Sequence, residues 1–271
     1  MNYIDLEKML AEGNPGLLKK LPSFALWFLK RIIKQKELNV ILNKYEGYEG
    51  AAFFSKMLEE LNITARIEGL ENLPENGKCF FVANHPYGFV DGLILTTTVH
   101  KKYGDFRGIG NEVFMMVPHV RPVIAAVNVF GKNPKQYLLE LDKLYNSEMP
   151  ITHFPAGLVS RLKSGKVMDS EWQKSFVTKA ISCERDVVPF YFPGRNSNLF
   201  YIVYLLRKAL GIKKAVELIL LAHEIFKKRG KVIDLQIGKP ISYTEFDKSK
   251  SHYEWAQEVK RRVYALGRSR A

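Results

Sequence analysis

Short, unbroken apolar runs bounded by turn residues constrain the fold of this chain most. Cys79-Phe80-Phe81-Val82-Ala83 and Val187-Val188-Pro189-Phe190-Tyr191-Phe192 show no alternation of apolar and polar residues. Each reads as a strand buried on both faces, as in sheets that carry helices on either side. Further strands read at 62–69, 149–154 and 231–237, with short apolar segments at 106–109 and 123–130. Helical patterns fill 91–102, 134–146, 171–183, 199–210, 216–228 and 251–266, and residues 1–60 read as largely helical. Strands alternating with helices predict an α/β protein with a mixed, mostly parallel sheet flanked by helices.

The chain has 271 residues, enough for a substantial core, and a formal net charge of +13. That charge favours an anionic partner: nucleic acid, an anionic membrane surface or a phosphorylated small molecule. No helix-turn-helix, zinc-finger or aromatic-rich RNA-binding signature is present, so nucleic acid is not expected. Two cysteines, Cys79 and Cys183, provide neither a disulfide framework nor a four-ligand metal set, and both read as packing residues. His100, His119, His153, His223 and His252 show no paired ligand spacing, so no metal is expected. The start, Met1-Asn2-Tyr3-Ile4-Asp5, lacks the form of a secretory signal, and the uncharged stretch 21–29 is too short to span a bilayer. A cytoplasmic location is the default expectation.

Between Gly13 and Lys36 the only charges are basic: Lys19, Lys20, Lys30, Arg31, Lys34 and Lys36. A helix begun by Pro22 would place Leu21, Phe24, Ala25, Phe28, Leu29 and Ile32 on one face, with Lys30 and Lys34 opposite. Such a helix suits a lipid interface, and equally a packed surface helix with solvated lysines. A second basic stretch (Lys213, Lys214, Lys227, Lys228, Arg229 and Lys231) is interrupted by Glu217 and Glu224 and reads as a solvated helix face.

Three segments carry chemistry. In Asn84-His85-Pro86-Tyr87-Gly88-Phe89-Val90-Asp91-Gly92, a tight turn at a strand end separates a histidine from an aspartate. An imidazole can take a proton from an alcohol while a nearby carboxylate sets its tautomer. Asp91 as the cap of a helix starting at Gly92 is the plainer alternative. Phe154-Pro155-Ala156-Gly157-Leu158-Val159-Ser160-Arg161 follows another strand. Its backbone amides, with Arg161, can hold an anionic head group or a developing oxyanion; an ordinary turn with an exposed arginine is the alternative. The strand 187–192 runs into Pro193-Gly194-Arg195-Asn196-Ser197, with Pro189 either a pocket wall or part of an edge strand.

An Asn-His…Asp turn, a Phe-Pro-x-Gly turn and a Val-Pro strand, in this order over roughly residues 60–240, resemble the glycerolipid acyltransferase superfamily. That group includes lysophosphatidate acyltransferases and bacterial acyltransferases labelled hemolysin-like. The common pattern has four residues between histidine and aspartate, whereas this chain has five. Ala156 and Val159 stand where a glutamate and an arginine usually sit, and Arg161 could supply the missing cation. The five-residue spacing, Phe-Pro-Ala-Gly-x-Val-Ser-Arg, Asp169 with Trp172, and Gly194-x-Asn196-Ser197 are similar to the hemolysin-like branch. A basic residue expected between the motifs has its nearest candidate in Lys132, after Gly131.

The resemblance implies an O-acyltransferase acting on a lysolipid hydroxyl, such as that of a lysophospholipid or a lyso-amino-acid lipid. His85 would be the base and Asp91 its orienter. Substrate contacts are expected from Asn84, Gly88, Phe154, Pro155, Gly157, Ser160 and Arg161, with Pro189 supporting the acyl site. The donor would be an acyl carrier protein or coenzyme A thioester, with no further cofactor. Residues 1–60 would form a helical membrane-association region ahead of an α/β domain over 61–271, placing the protein on the cytoplasmic face of an anionic membrane. Two other functions stay open: a lipid-directed serine hydrolase using Ser160, which lacks a Gly-x-Ser-x-Gly elbow, and a non-catalytic lipid-binding protein.

Overall fold

The computed structural model describes residues 1–13, 21–111, 114–115, 117–127, 135–163, 165–212 and 215–268. Lys19, Lys20, Gly131, Lys132, Lys213 and Lys214 lie outside them. Four helices lead the chain: α1 (Leu6–Gly13), α2 (Ser23–Ile32), α3 (Gln35–Lys44) and α4 (Gly50–Glu60). Strands β1 (Thr64–Glu68) and β2 (Cys79–Ala83), helix α5 (Phe89–Tyr103), strands β3 (Arg107–Asn111) and β4 (Ile124–Val127), helix α6 (Lys135–Asn146) and strand β5 (Ile151–His153) follow. After a short hairpin, β6 (Arg161–Lys163) and β7 (Lys166–Met168), come α7 (Ser175–Ser182), β8 (Asp186–Tyr191) and α8 (Asn198–Ala209). A 3-10 turn over Val216–Leu220 runs into α9 (Leu221–Lys227), and β9 (Val232–Ile237) and α10 (His252–Leu266) complete the order.

The described strands form a seven-stranded sheet in the order β1-β9-β8-β2-β5-β3-β4. Every neighbouring pair is parallel except β8 with β9. The fold is therefore α/β with a mixed, mostly parallel sheet. β2 lies at its centre and is buried at all five positions. Its alternate residues divide the core: Cys79, Phe81 and Ala83 face the cluster under α3, α4 and α5, while Phe80 and Val82 face the cluster under α7 and α10. Removing each such phenylalanine from water contributes about 1.5–3 kcal/mol. Ile41, Leu42, Phe53, Phe54 and Met57 of α3 and α4 belong to the first of these clusters, so that part of residues 1–60 shares the core of the sheet.

Three expectations change. The helix expected to run on from Pro22 to Lys36 ends at Ile32, because Lys34 takes a left-handed conformation (φ 54°) and starts α3. On α2, Phe24, Trp27, Phe28 and Arg31 face outward, while Ala25, Leu29 and Ile32 turn partly inward. Second, the stretch around Glu217 and Glu224 is not a solvated face: these side chains are 0% and 1% exposed. Glu217 meets two arginines, and Glu224 accepts the Ser197 N–H at 2.8 Å and its hydroxyl at 2.5 Å. Third, Arg161 opens the β6–β7 hairpin instead of ending an open turn. Strands of three residues, rich in Arg and Lys, carry no apolar period to betray them.

Candidate active site

Strands β8, β2 and β5 are adjacent and parallel, so their carboxyl ends share one edge of the sheet, the edge where open α/β sheets bind ligands. The segments leaving those ends carry His85, Phe154 to Ser160, and Pro193 to Ser197.

Asn84 is 2% exposed and joins two strand ends: it donates to the Phe192 carbonyl at 2.9 Å and accepts the Phe192 N–H at 2.7 Å. The chain then turns through Gly88, whose φ of +87° favours glycine; a Cβ there would lie 3.0 Å from Leu221 Cδ2 and 3.3 Å from Val159 Cγ2. Helix α5 begins at Phe89, earlier than expected, and Asp91 occupies its first turn. His85 Nδ1 and Asp91 Oδ2 stand 2.9 Å apart. The same oxygen accepts the N–H groups of Tyr87 and Gly88, each at 2.9 Å. The two readings of the motif are therefore one arrangement: the carboxylate that ties down the helix entry also holds the imidazole. Asp91 is fully buried, which pushes its carboxyl above the ordinary value, while His85 and the two amides oppose that shift. The His85 side chain retains 17% exposure.

Phe154 stacks on the His85 ring with centroids 4.0 Å apart. The Phe154-to-Gly157 turn closes through the Gly157 N–H on the Phe154 carbonyl at 2.9 Å, leaving Gly157 exposed beside buried Pro155 and Ala156. Ser160 is 1% exposed, donates its hydroxyl to Asp169 Oδ1 at 2.5 Å, and gives its N–H to the His85 carbonyl at 2.8 Å. A serine so enclosed has no approach to a substrate carbonyl, which weighs against the hydrolase. Arg161 is not exposed either: its guanidinium lies between Phe200 and Tyr204, 5.3 and 5.4 Å from their ring centroids, and pairs with Glu217 at 2.9 Å. Pro189 lies inside the sheet in register with Val82, its carbonyl accepting the Gly238 N–H at 2.8 Å.

The site also contains a second carboxylate that sequence reading noted only as a branch likeness. Asp169, 1% exposed, accepts the His85 N–H at 3.2 Å, the Ser160 hydroxyl, and Trp172 Nε1 at 2.9 Å. Its own backbone is held by α10, through the Tyr264 hydroxyl at 2.8 Å and Lys260 Nζ at 2.9 Å. It thus fixes the backbone of His85 as Asp91 fixes the ring. The signal was the aspartate three residues before a tryptophan, whose indole N–H needs an acceptor when buried.

Two expected results follow from this packing. Gly194 has φ +149°, and a Cβ there would fall 1.7 Å from Tyr87 Oη, which donates to the Pro193 carbonyl at 2.7 Å. Gly194→Ala should cost about 2–3 kcal/mol in urea denaturation by displacing Tyr87 from the turn. His153 precedes Phe154, and burial pushes its imidazole down to about 4. The neutral ring is the folded form, so its contribution is whole above the unfolded value of about 6.5 and is lost as pH falls toward 4. His153→Gln should retain about 2 kcal/mol more of its neutral-pH stability at pH 4 than the parent does. Asp91 and Asp169, raised by burial, act in the opposite sense, so comparing the two denaturation series isolates the histidine.

The Cys79 thiol, raised to about 12 by burial, offers no nucleophile. Among the described residues no helix is long and apolar enough to cross a membrane.

A lyso-glycine lipid O-acyltransferase of Phocaeicola vulgatus is 42% identical over 264 residues, 97% of this chain and 95% of that protein. The protein of the same name from Bacteroides thetaiotaomicron is 39% identical over 264 residues, 97% of each. The crystal structure of the 1-acyl-sn-glycerophosphate acyltransferase PlsC from Thermotoga maritima superposes with a TM-score of 0.47 at 20% identity, covering 94% of this chain and 83% of that one. The acyltransferase family profile matches residues 8–271. Matched over nearly its whole length by that profile and by both relatives, the chain belongs to the acyltransferase family.

Proposed function

We propose that this protein transfers a fatty acyl group from a thioester of acyl carrier protein or coenzyme A to the free hydroxyl of a lysolipid, with a lyso-glycine lipid as acceptor. The observation that carries the reading is the 2.9 Å contact between His85 Nδ1 and buried Asp91 Oδ2. With Nδ1–H donated to the carboxylate, Nε2 is the basic nitrogen. It takes the acceptor's hydroxyl proton as the oxygen attacks the thioester carbonyl. The tetrahedral intermediate then expels the thiolate, which recovers the proton from the imidazolium. Asp91 stabilises that cation, and Phe154 keeps the ring in plane. Arg161, neutralised by Glu217, shapes the wall instead of gripping the head group. The acceptor's name comes from the two relatives, whose substrate this reading extends to the present chain.

A lipid substrate requires access to a membrane. Helix α2 turns Phe24, Trp27 and Phe28 outward at 75%, 61% and 56% exposure, with the Arg31 guanidinium 5.8 Å from the Trp27 ring. Aromatics with a neighbouring cation suit the head-group boundary of the cytoplasmic leaflet. The test is to incubate purified protein with lyso-glycine lipid and acyl-CoA or acyl-ACP and to follow the diacyl product by mass spectrometry. Free fatty acid without acceptor would favour the hydrolase, and vesicle binding without product the non-catalytic protein.

A further inference from the structure

Helix α8 is apolar on both sides. Its inward face, Phe200, Tyr201 and Tyr204, is buried. Its outward face carries Leu199, Ile202, Leu205, Leu206 and Leu210 at 46%, 52%, 45%, 57% and 73% exposure, and Ile212 continues the patch at 44%. The spacing 199, 202, 206 and 210 forms one stripe. A helix apolar all round belongs inside a protein or against another apolar phase, and contiguous exposed patches of this kind mark interaction surfaces.

The patch adjoins the catalytic turn. Val159, Phe200, Tyr201 and Leu220 form one compact cluster, with Ile32 of α2 and Leu221 of α9 packed against it. Leu221 and Val159 are the side chains that a Cβ on Gly88 would meet. Ile32 at the end of α2 and the inward face of α8 thus share the cluster that backs the His85–Asp91 turn. Exposed Arg195 stands just before α8 and exposed Lys208 near its end, while Arg207 pairs with buried Glu217.

We propose that α8 is a second lipid-inserting element, which enters an anionic bilayer beside α2 and seats the catalytic turn at the head-group level. This rests on the reading that the acceptor is a membrane lipid. Leucines then lie among acyl chains while the cations meet lipid phosphates. A second copy of the chain fits less well, since a symmetric contact would set the same cations against themselves.

The test uses the full chain and flotation with vesicles of phosphatidylcholine containing phosphatidylglycerol. The double variant Leu205→Glu/Leu206→Glu should float with about tenfold lower partition than the parent. Turnover of a short-chain, water-soluble hydroxy acceptor should stay the same in both, since neither leucine touches the site. Unchanged flotation would overturn the proposal. So would a parent dimer in sedimentation that the variant dissociates. Flotation needs no acceptor, so it reads this surface even where lyso-glycine lipid proves to be no substrate, a result that would count only against the proposed acceptor.

Discussion

His85→Ala should abolish acyl transfer, lowering kcat by on the order of 10³-fold or more, while circular dichroism and the urea midpoint stay those of the parent. The imidazole lies at the rim of the sheet with its side chain partly exposed, so its removal leaves no large void in the core. Asp91→Asn separates the two duties of that carboxylate. The amide still offers an oxygen to the N–H groups of Tyr87 and Gly88, but it brings no charge to the imidazolium that forms as the acceptor's proton moves. Its kcat should fall by about 10²–10³-fold with KM little changed, because the lost interaction exists only in the transition state. A steady-state rate series with acyl-CoA and lyso-glycine lipid decides both. Near-parent turnover in His85→Ala would rule out the base mechanism.

Glu217→Ala should be the most damaging single change to stability. The Glu217 carboxylate is fully buried, with Arg161 Nη2 2.9 Å from one oxygen and Arg207 Nε 2.7 Å from the other. Removing it strands two largely buried guanidinium groups, at a cost of about 3–5 kcal/mol. Against a total of about 5–15 kcal/mol this is a large fraction, and urea denaturation should show the midpoint collapse. Arg161→Met/Arg207→Met/Glu217→Leu, which removes all three charges together, should recover most of the loss. That recovery would show that the cost lies in uncompensated charge, not in lost packing. The triad links β6, α8 and the 3-10 turn, so Glu217→Ala should also loosen the wall formed by Val159, Phe200 and Leu220.

The strands and helices that could be read in advance carry their information locally. β2 and β8 are unbroken apolar runs because both their faces are covered. The Asn-His…Asp turn was legible because its partners lie six residues apart, within one strand-to-helix turn. The family resemblance came from three such local signatures in order. What stayed hidden depends on pairing over distance. Arg161 and Glu217 are 56 residues apart, and Asp169 meets His85 across 84. Neither contact leaves a period or a spacing that sequence alone would show.

Charge shows the same division. The excess of Lys and Arg was plain from composition, but which charges are buried was not. Glu217 and Glu224 looked like interruptions of a solvated basic face and are instead anchors inside it. Amphipathic pattern has the same limit: Phe24 and Phe28 share a helical side with Leu29 and Ile32 in projection, yet only packing determines which of them faces out.

Apolar periodicity and turn chemistry were sufficient for the α/β class, the order of the longer strands and helices and the candidacy of His85 and Asp91 as a pair, because each is an interaction between near neighbours along the chain. The second carboxylate under His85, the enclosure of Ser160, the burial of Arg161 and the outward leucines of α8 were settled when distant segments met. Burial belongs to the assembled fold, and the same side chain is a ligand, a strut or a membrane contact according to what packs against it.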